Sequence, residues 1–267
     1  MTEKTLNNRK NGMVVLLLLV LVYVASVVLF IFGVSYDILP LTLISCVWFV
    51  FGWIFFLGLK VLKPQEALVL TLFGKYVGTL KNSGFYFVNP FCTAVNPAAG
   101  TKLNQSGDVK VLGAKQPSGG VDVSIDIPTK KISLKIMTLN NNRQKINDCL
   151  GNPVEIGIAV MWRVVDTAKA VFNVDNYKEY LSLQCDSALR NIVRIYPYDI
   201  APNVDTTGDG IADEGSLRGS SEVVAARIKD EIQDKVSEAG IEILEARITY
   251  LAYAPEIAAV MLQRQLS

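Results

Sequence analysis

The chain has 267 residues, a formal net charge of +1 and no histidine. The near-neutral charge, without a block of basic residues, argues against nucleic-acid binding, which needs a concentrated positive surface. The absence of histidine excludes Ser-His-Asp and Cys-His catalysis and zinc sites with imidazole ligands. A Ser-Lys dyad or a carboxylate pair stays open, although no spacing in the chain points to one. We therefore predict no enzymatic activity and no cofactor.

Two apolar runs fill most of the first sixty residues. Residues 13–34 and 41–59 contain no charged side chain, and as helices each can cross a hydrocarbon layer of about 30 Å. The alternatives are a cleavable signal peptide and a shallow hairpin that dips into the membrane and returns. The first run is long for a signal peptide, and a second follows at once. We predict two transmembrane helices, the second ended by Lys63-Pro64.

The basic residues around these runs predict their orientation. They lie outside the helix pair, at Lys4, Arg9, Lys10, Lys60 and Lys63. The connecting turn carries only Asp37. Basic residues favour the cytoplasmic side of a membrane. We predict a multi-pass cell-membrane protein whose N-terminal tail (residues 1–12) and large domain are both cytoplasmic.

The remaining chain alternates as expected for half-buried strands. Residues 66–73 form an apolar strand followed by Gly74, and alternating patterns cover 121–127 and 132–136. The clearest strand is 154–164, in which every second residue from Val154 to Val164 is apolar. This pattern is typical of an antiparallel sheet with one covered face. Residues 97–120, rich in Gly, Pro, Ser, Asn and Lys, predict a loop or a frayed hairpin.

Two amphipathic helices follow. The first carries an apolar stripe and begins after Asp175 or Asn176 as a cap; its members are Tyr177, Leu181, Cys185, Ala188, Ile192 and Ile195. The second has the stripe Val224, Ile228, Ile232 and Val236 and stops at Gly240. Alternation returns over 241–250, and Pro255-Glu256 opens a last helix. The fold class is therefore α+β, with a domain at 63–254 and the start of a C-terminal helix at 255–267.

Aromatic residues concentrate shortly after the second apolar run. Phe85, Tyr86, Phe87 and Phe91 lie within nine residues of Ser83. One interpretation places them in the core of a small sheet. The other places some of them in the headgroup layer of the membrane, where aromatic rings are stable.

Residues 205–214 resemble an acidic calcium loop. Asp205, Asp209 and Asp213 alternate with small residues, and oxygen ligands at such spacing suit Ca²⁺. However, Thr207 stands where a second carboxylate is expected and Ser216 where a bidentate Glu belongs. A solvated turn is the alternative, and we predict no other metal site.

A possible ion pair and the four cysteines are interpreted as structural rather than catalytic features. Arg163 and Asp166 are expected to form a surface ion pair worth at most about 1 kcal/mol. The cysteines include no CxxC pair and are expected to be free, buried thiols of a reducing compartment. They are Cys46, Cys92, Cys149 and Cys185.

Several motifs in order resemble the stomatin/prohibitin/flotillin (SPFH, or band 7) family. They cover roughly residues 60–265 and comprise Lys63-Pro64-Gln65-Glu66, Phe73-Gly74-Lys75, Ser83-Gly84-Phe85, Asn147-Asp148, Gly151 to Ile156, Trp162-Arg163-Val164, Asp166-Thr167, Gln184, Ala188-Leu189-Arg190, Tyr196 to Asp199, Leu251 to Ile257 and Met261 to Gln265.

The resemblance implies a non-enzymatic membrane scaffold. Members of the family assemble into rings or cages and organise lipid microdomains, which makes the bilayer and other copies of the chain the expected partners. A second hypothesis is a regulator that sequesters or restrains a membrane AAA protease. Two features depart from many relatives. The long C-terminal coiled coil is not in this sequence, and two predicted spans replace a single span or shallow hairpin.

Overall fold

The computed structural model describes residues 2–6, 11–103, 109–111, 129–141, 143–199 and 215–258. Its helices are α1 (Gly12–Ser35), α2 (Leu39–Phe51), α3 (Thr167–Phe172), α4 (Tyr177–Val193) and α5 (Ser221–Val236). Its strands are β1 (Leu59–Leu62), β2 (Glu66–Leu72), β3 (Lys75–Leu80), β4 (Gly84–Phe87), β5 (Thr93–Ala94), β6 (Thr101–Leu103), β7 (Val109–Val111), β8 (Ile132–Ser133), β9 (Met137–Asn140), β10 (Gln144–Asn147), β11 (Pro153–Val164) and β12 (Ile241–Tyr253). The α+β fold class with two apolar N-terminal helices is confirmed.

The chain divides into two compact units. The N-terminal unit comprises Thr2–Asn96 and Thr129–Leu134, and the C-terminal unit comprises Pro97–Pro128 and Lys135–Ser267. The N-terminal unit contains the two apolar helices and a set of short strands. In the described part of the C-terminal unit, a longer antiparallel sheet packs with α3, α4 and α5.

The two apolar helices of the N-terminal unit pack against each other through small residues. The buried residues of α1 are Gly12, Leu19, Ser26 and Gly33, at intervals of seven. Ser45 and Gly52 on the opposing segment share that interval and are also buried. A seven-residue repeat is the signature of left-handed helix pairing, and small residues let helix backbones approach closely in lipid. A side chain at position 33 would come within 2.7 Å of Thr42 Oγ1.

The outer surfaces of these helices are apolar and uncovered. Gly12–Ser35 and Leu39–Gly58 are long and apolar enough to cross a membrane, and only 11% and 17% of their most apolar windows are buried. A core helix of a soluble protein would be mostly buried, so these segments require an apolar environment outside the chain.

The second apolar segment ends earlier than the sequence predicted. A 3-10 turn occupies Gly52–Gly58, and Leu59–Leu62 is already strand β1, so the prediction that Lys63-Pro64 ends the helix is wrong. The reason is tertiary: β1 pairs antiparallel with β4, from Leu59 opposite Phe87 to Leu62 opposite Gly84. This pairing satisfies backbone groups that would otherwise continue the helix.

A second small sheet completes the N-terminal unit. Its strand order is β3-β2-β5, with β8 also paired to β2. The buried core beneath it comprises Leu62, Leu68, Leu70, Leu80, Tyr86, Val88 and Cys92. Residues 132–136 keep only the short strand β8: Ile132 is fully buried, whereas Ile136 is 61% exposed. The N-terminal tail also joins this unit, through a parallel bridge between Thr5 and Thr79 of β3.

The C-terminal unit is built around β11, as the alternation predicted. β12 pairs with β11 along one side, and β9 and β10 pair with it along the other. The apolar face of β11 is at most 2% exposed and consists of Val154, Ile156, Ile158, Val160, Trp162 and Val164. The β6–β7 hairpin agrees with the loop or hairpin expected for 97–120, and the strand predicted at 121–127 lies outside the described residues.

The helix stripes largely match the prediction. The Asn176 side chain caps α4 by accepting from the backbone of Lys178 and Glu179, and Gly240 adopts the left-handed conformation that ends the α5 segment. Ile195 lies beyond the end of α4 and is 41% exposed, so its place in the stripe was wrong. The short helix α3 was not predicted, since six residues carry too little periodicity. Residues 255–258 are helical, and the rest of the expected C-terminal helix lies outside the described residues.

Candidate membrane and assembly surfaces

The structure divides the four aromatic residues predicted to contact the membrane. Tyr86 is 3% exposed, and its hydroxyl donates to the Asn82 carbonyl oxygen at 2.9 Å. Tyr86 is therefore a core residue and is removed from the membrane-contact set. Phe85 and Phe87 are half-buried. Phe91 is 59% exposed and is the most exposed member of the set.

Phe91 is joined by an aromatic residue that the sequence reasoning missed. Phe73 is 88% exposed, and its ring lies 6.5 Å from that of Phe91 between centroids, in a stacked arrangement. The β2–β3 turn presents Phe73 with φ +48°, followed by Gly74 with φ +83°. A left-handed conformation is uncommon for a bulky side chain and often marks a functional position. The signal available in the sequence was a phenylalanine directly before the turn glycine.

The path of the strands places this aromatic pair near the apolar helices. β1 leads away from the second apolar segment, and its antiparallel partner β4 returns toward it. At the end of β4 the Val88 N–H donates to the Gly58 carbonyl oxygen at 2.9 Å, level with the end of that segment. Phe91 lies three residues beyond this point. The Phe91 Cα is therefore within about 11 Å of the Val88 Cα, and Phe73 stacks on Phe91.

The C-terminal unit offers an open strand edge. β12 has thirteen residues and pairs only with β11 among the described strands. At its start the Gln233 side chain replaces a neighbouring strand, donating to the Ile241 carbonyl oxygen at 3.1 Å and accepting from the Ile243 N–H at 2.7 Å. Farther along, a groove of about 540 Å³ separates α5 from β12. Its walls are formed by Leu244–Ile248 of β12 and by five residues of α5: Ser221, Glu222, Ala225, Ala226 and Lys229.

Two polar anchors hold the C-terminal unit around this sheet. Asp148 is 4% exposed and accepts four hydrogen bonds, from Leu150 N, Asn152 N, Asn152 Nδ2 and Tyr198 N, at 2.7–3.2 Å. Lys178 donates from Nζ to the carbonyl oxygens of Ala98 and Thr101, at 3.2 and 2.6 Å. Burial lowers the pKa of Lys178. Both residues close loops against helices or strands and have a structural role.

The three cysteines with shifted pKa values are not activated as nucleophiles. Burial raises the pKa of the Cys185 and Cys92 thiols, and burial followed by the charge of Asp148 raises that of Cys149. A catalytic thiol needs the opposite shift. The cysteines are free, as expected, but Cys46 and Cys149 are exposed, which corrects the prediction of buried thiols.

The predicted metal and ion-pair sites have separate outcomes. No group of three or more His, Cys, Asp or Glu side chains that could hold a metal ion occurs in the part of the chain the structure describes. Asp205, Asp209 and Asp213 lie outside that part, so calcium binding there stays a prediction. The expected pair of Arg163 with Asp166 is wrong: Arg163 Nε bonds Glu242 Oε2 at 2.6 Å, and Asp166 caps α3.

The architecture thus defines a class: an α+β protein with two apolar N-terminal helices that are long enough to cross a membrane. Residues 60–267 match the SPFH domain / Band 7 family, and the chain belongs to this family. Proteins of the family are generally non-enzymatic, membrane-associated scaffolds that self-assemble. A search of curated protein sequences found no significant match.

Proposed function

We propose that this chain is a membrane-anchored scaffold that assembles with copies of itself and organises membrane microdomains and protein assemblies. The observation that carries the proposal is the exposed apolar helix pair joined directly to the folded sheet of the N-terminal unit. Such an anchor confines every copy to one surface. Confinement raises the local concentration, so that modest contacts between copies suffice for assembly.

Electron microscopy of the detergent-extracted full-length chain tests this proposal. We expect discrete closed particles built of many copies. A stable monomer at high protein density would contradict it. A membrane protease present in stoichiometric amount would instead support the second hypothesis, in which the chain restrains such a protease.

We further propose that both helices cross the membrane and that the N-terminus and the large domain lie in the cytoplasm. The bridge between Thr5 of the tail and Thr79 supports this arrangement, because two crossings return the chain to the side on which it starts. Basic residues on both outer flanks favour the cytoplasmic side. A glycosylation acceptor inserted beside Asp37 should be modified in microsomes, whereas one added at the N-terminus should not. The reverse pattern would refute this orientation.

The aromatic pair of Phe73 and Phe91 is proposed to rest in the headgroup layer. Phe73→Trp and Phe91→Trp variants, each in a Trp48→Phe, Trp53→Phe background, test this in vesicles with brominated lipids. The remaining native tryptophan, Trp162, is fully buried and serves as the internal reference. We expect strong quenching of each introduced tryptophan. Quenching no greater than that of Trp162 would refute the contact.

The groove beside β12 is proposed as a lateral contact with a second copy. Ala226 lines the groove and is exposed. Ala226→Arg should therefore reduce particle size without disturbing the core. Val223→Arg is the matched control, because Val223 is 56% exposed on the same helix and does not line the groove. Equal effects of the two variants would argue against a specific contact there.

A further inference from the structure

The N-terminal tail pairs with the edge of β3 through one parallel bridge, between Thr5 and Thr79. The Thr79 N–H donates to the Lys4 carbonyl oxygen at 2.8 Å, and the Leu6 N–H donates to the Thr79 carbonyl oxygen at 2.9 Å. The Lys4 N–H donates to the Tyr76 hydroxyl at 3.2 Å. Among the described strands β3 has β2 on its other side. The tail therefore covers the edge of this sheet, and an exposed edge is a template for pairing with another chain.

Side chains make this edge selective. Lys81 Nζ lies 2.6 Å from Glu3 Oε2, with the two side chains 25% and 13% exposed. Leu6, three residues later, packs against the apolar core of the unit. Glycine at position 78 leaves space for the Leu6 side chain, since a Cβ there would lie 2.6 Å from Leu6 Cγ. The edge thus recognises an extended segment with a carboxylate and, three residues on, a leucine.

We propose that the outer edge of β3 is a strand-binding site for residues 2–6, and that adjacent copies in an assembly exchange this strand. The inference rests on the proposed self-assembly. A strand from a neighbour would make the same contacts as the chain's own strand, so local concentration decides the balance between them. Residues 7–11 link the strand to α1 and can bridge at most about 20 Å. Exchange therefore requires closely packed copies.

A charge-reversal pair of full-length chains tests exchange. One chain carries Glu3→Lys and a first affinity tag; the other carries Lys81→Glu and a second tag. Each chain alone places like charges at the contact. In a mixed assembly the tail of each chain matches the edge of the other, so exchange relieves both mismatches. We expect co-purification of unlike chains to exceed that of like chains about threefold or more, given that one ion pair within reach of solvent shifts an equilibrium up to about fivefold.

Two controls make the result decisive. Leu6→Asp added to both chains removes the apolar anchor and should abolish the enrichment. A single chain with both Glu3→Lys and Lys81→Glu restores the match within itself and should show no preference. Particle size is measured on each preparation. Assembly without enrichment overturns strand exchange and leaves the scaffold proposal standing, whereas loss of assembly in the wild-type chain overturns the proposed function itself.

Discussion

Replacing Asp148 by alanine should destabilise the C-terminal unit. Its buried carboxylate holds the Asp148–Asn152 turn and the backbone of Tyr198 through four hydrogen bonds. A hydrogen bond to a charged group contributes about 1.5–3 kcal/mol to the free energy of unfolding when water does not replace it. Leu150 is 57% exposed, so water will replace part of this network. We therefore expect a loss of about 3 kcal/mol for Asp148→Ala.

Thermal unfolding in the Trp48→Phe, Trp53→Phe background, followed by the fluorescence of the buried Trp162, measures this loss. For a domain of this size, about 3 kcal/mol corresponds to a midpoint lowered by roughly 6–12 °C. Asp148→Asn keeps one acceptor oxygen but replaces the other with an amide NH₂ group, which cannot accept from the two donors there. Its midpoint should therefore fall between those of the wild-type chain and Asp148→Ala. Asp230→Ala removes an exposed carboxylate and is the control. An Asp148→Ala midpoint equal to that of Asp230→Ala would refute the reasoning.

Three further predictions concern the helix pair and the helix contacts. Gly33→Leu places a side chain against Thr42 and should weaken α1–α2 packing by about 1–3 kcal/mol, seen as earlier unfolding in SDS. Lys178→Met keeps the aliphatic part of the side chain but removes the donor to the carbonyl oxygens of Ala98 and Thr101. Amide hydrogen exchange of residues 97–101 should therefore become faster. Hydrogen bonds from Lys235 and then Asn191 lower the pKa of Glu231. The pKa of Glu231 is therefore lower in the folded state than in the unfolded state. Its stabilisation is present at pH values above the unfolded-state pKa and is lost as the pH falls through the folded-state pKa. Glu231→Gln should cost about 0.5–1 kcal/mol at neutral pH and nothing in acid.

Each of these predictions has a contrary result. Val34→Leu, on an exposed face of α1, is the control for Gly33→Leu, and equal SDS sensitivity would exclude close packing at position 33. Unchanged exchange in Lys178→Met would mean that the two carbonyl oxygens are satisfied by water. A Glu231→Gln deficit that persists in acid would show that the effect does not come from the ionised carboxylate.

The periodic elements of the chain were predictable because each residue's polarity follows from the face of the helix or strand on which it lies. β11 has a covered face, so apolar residues must occupy every second position, and the sequence shows this directly. The stripe of α5 and the left-handed Gly240 follow from the same local logic. The alternation over 132–136 predicted a longer strand than β8, because only Ile132 and Ser133 of that stretch are in register with β2.

The family motifs could be recognised in the sequence, but the structural roles of their residues could not. Asn147-Asp148 and Gly151-Asn152 could be matched to a family, but the need for an acid became clear only from the hydrogen bonds that converge on Asp148. Arg163 shows the opposite case. Its nearby acid in sequence, Asp166, caps a helix, and its partner Glu242 comes from the neighbouring strand.

The sequence by itself determined that this chain has two long apolar segments followed by an α+β domain, because chain length, charge and periodicity are local properties. Tertiary structure alone decided which aromatic rings stay exposed, where the second apolar segment ends and that the first residues complete a sheet. These features depend on groups far apart in the chain: Phe73 meets Phe91, Leu59 meets Phe87 and Thr5 meets Thr79. No local pattern encodes such pairings, since their free energy arises only when both partners are in place.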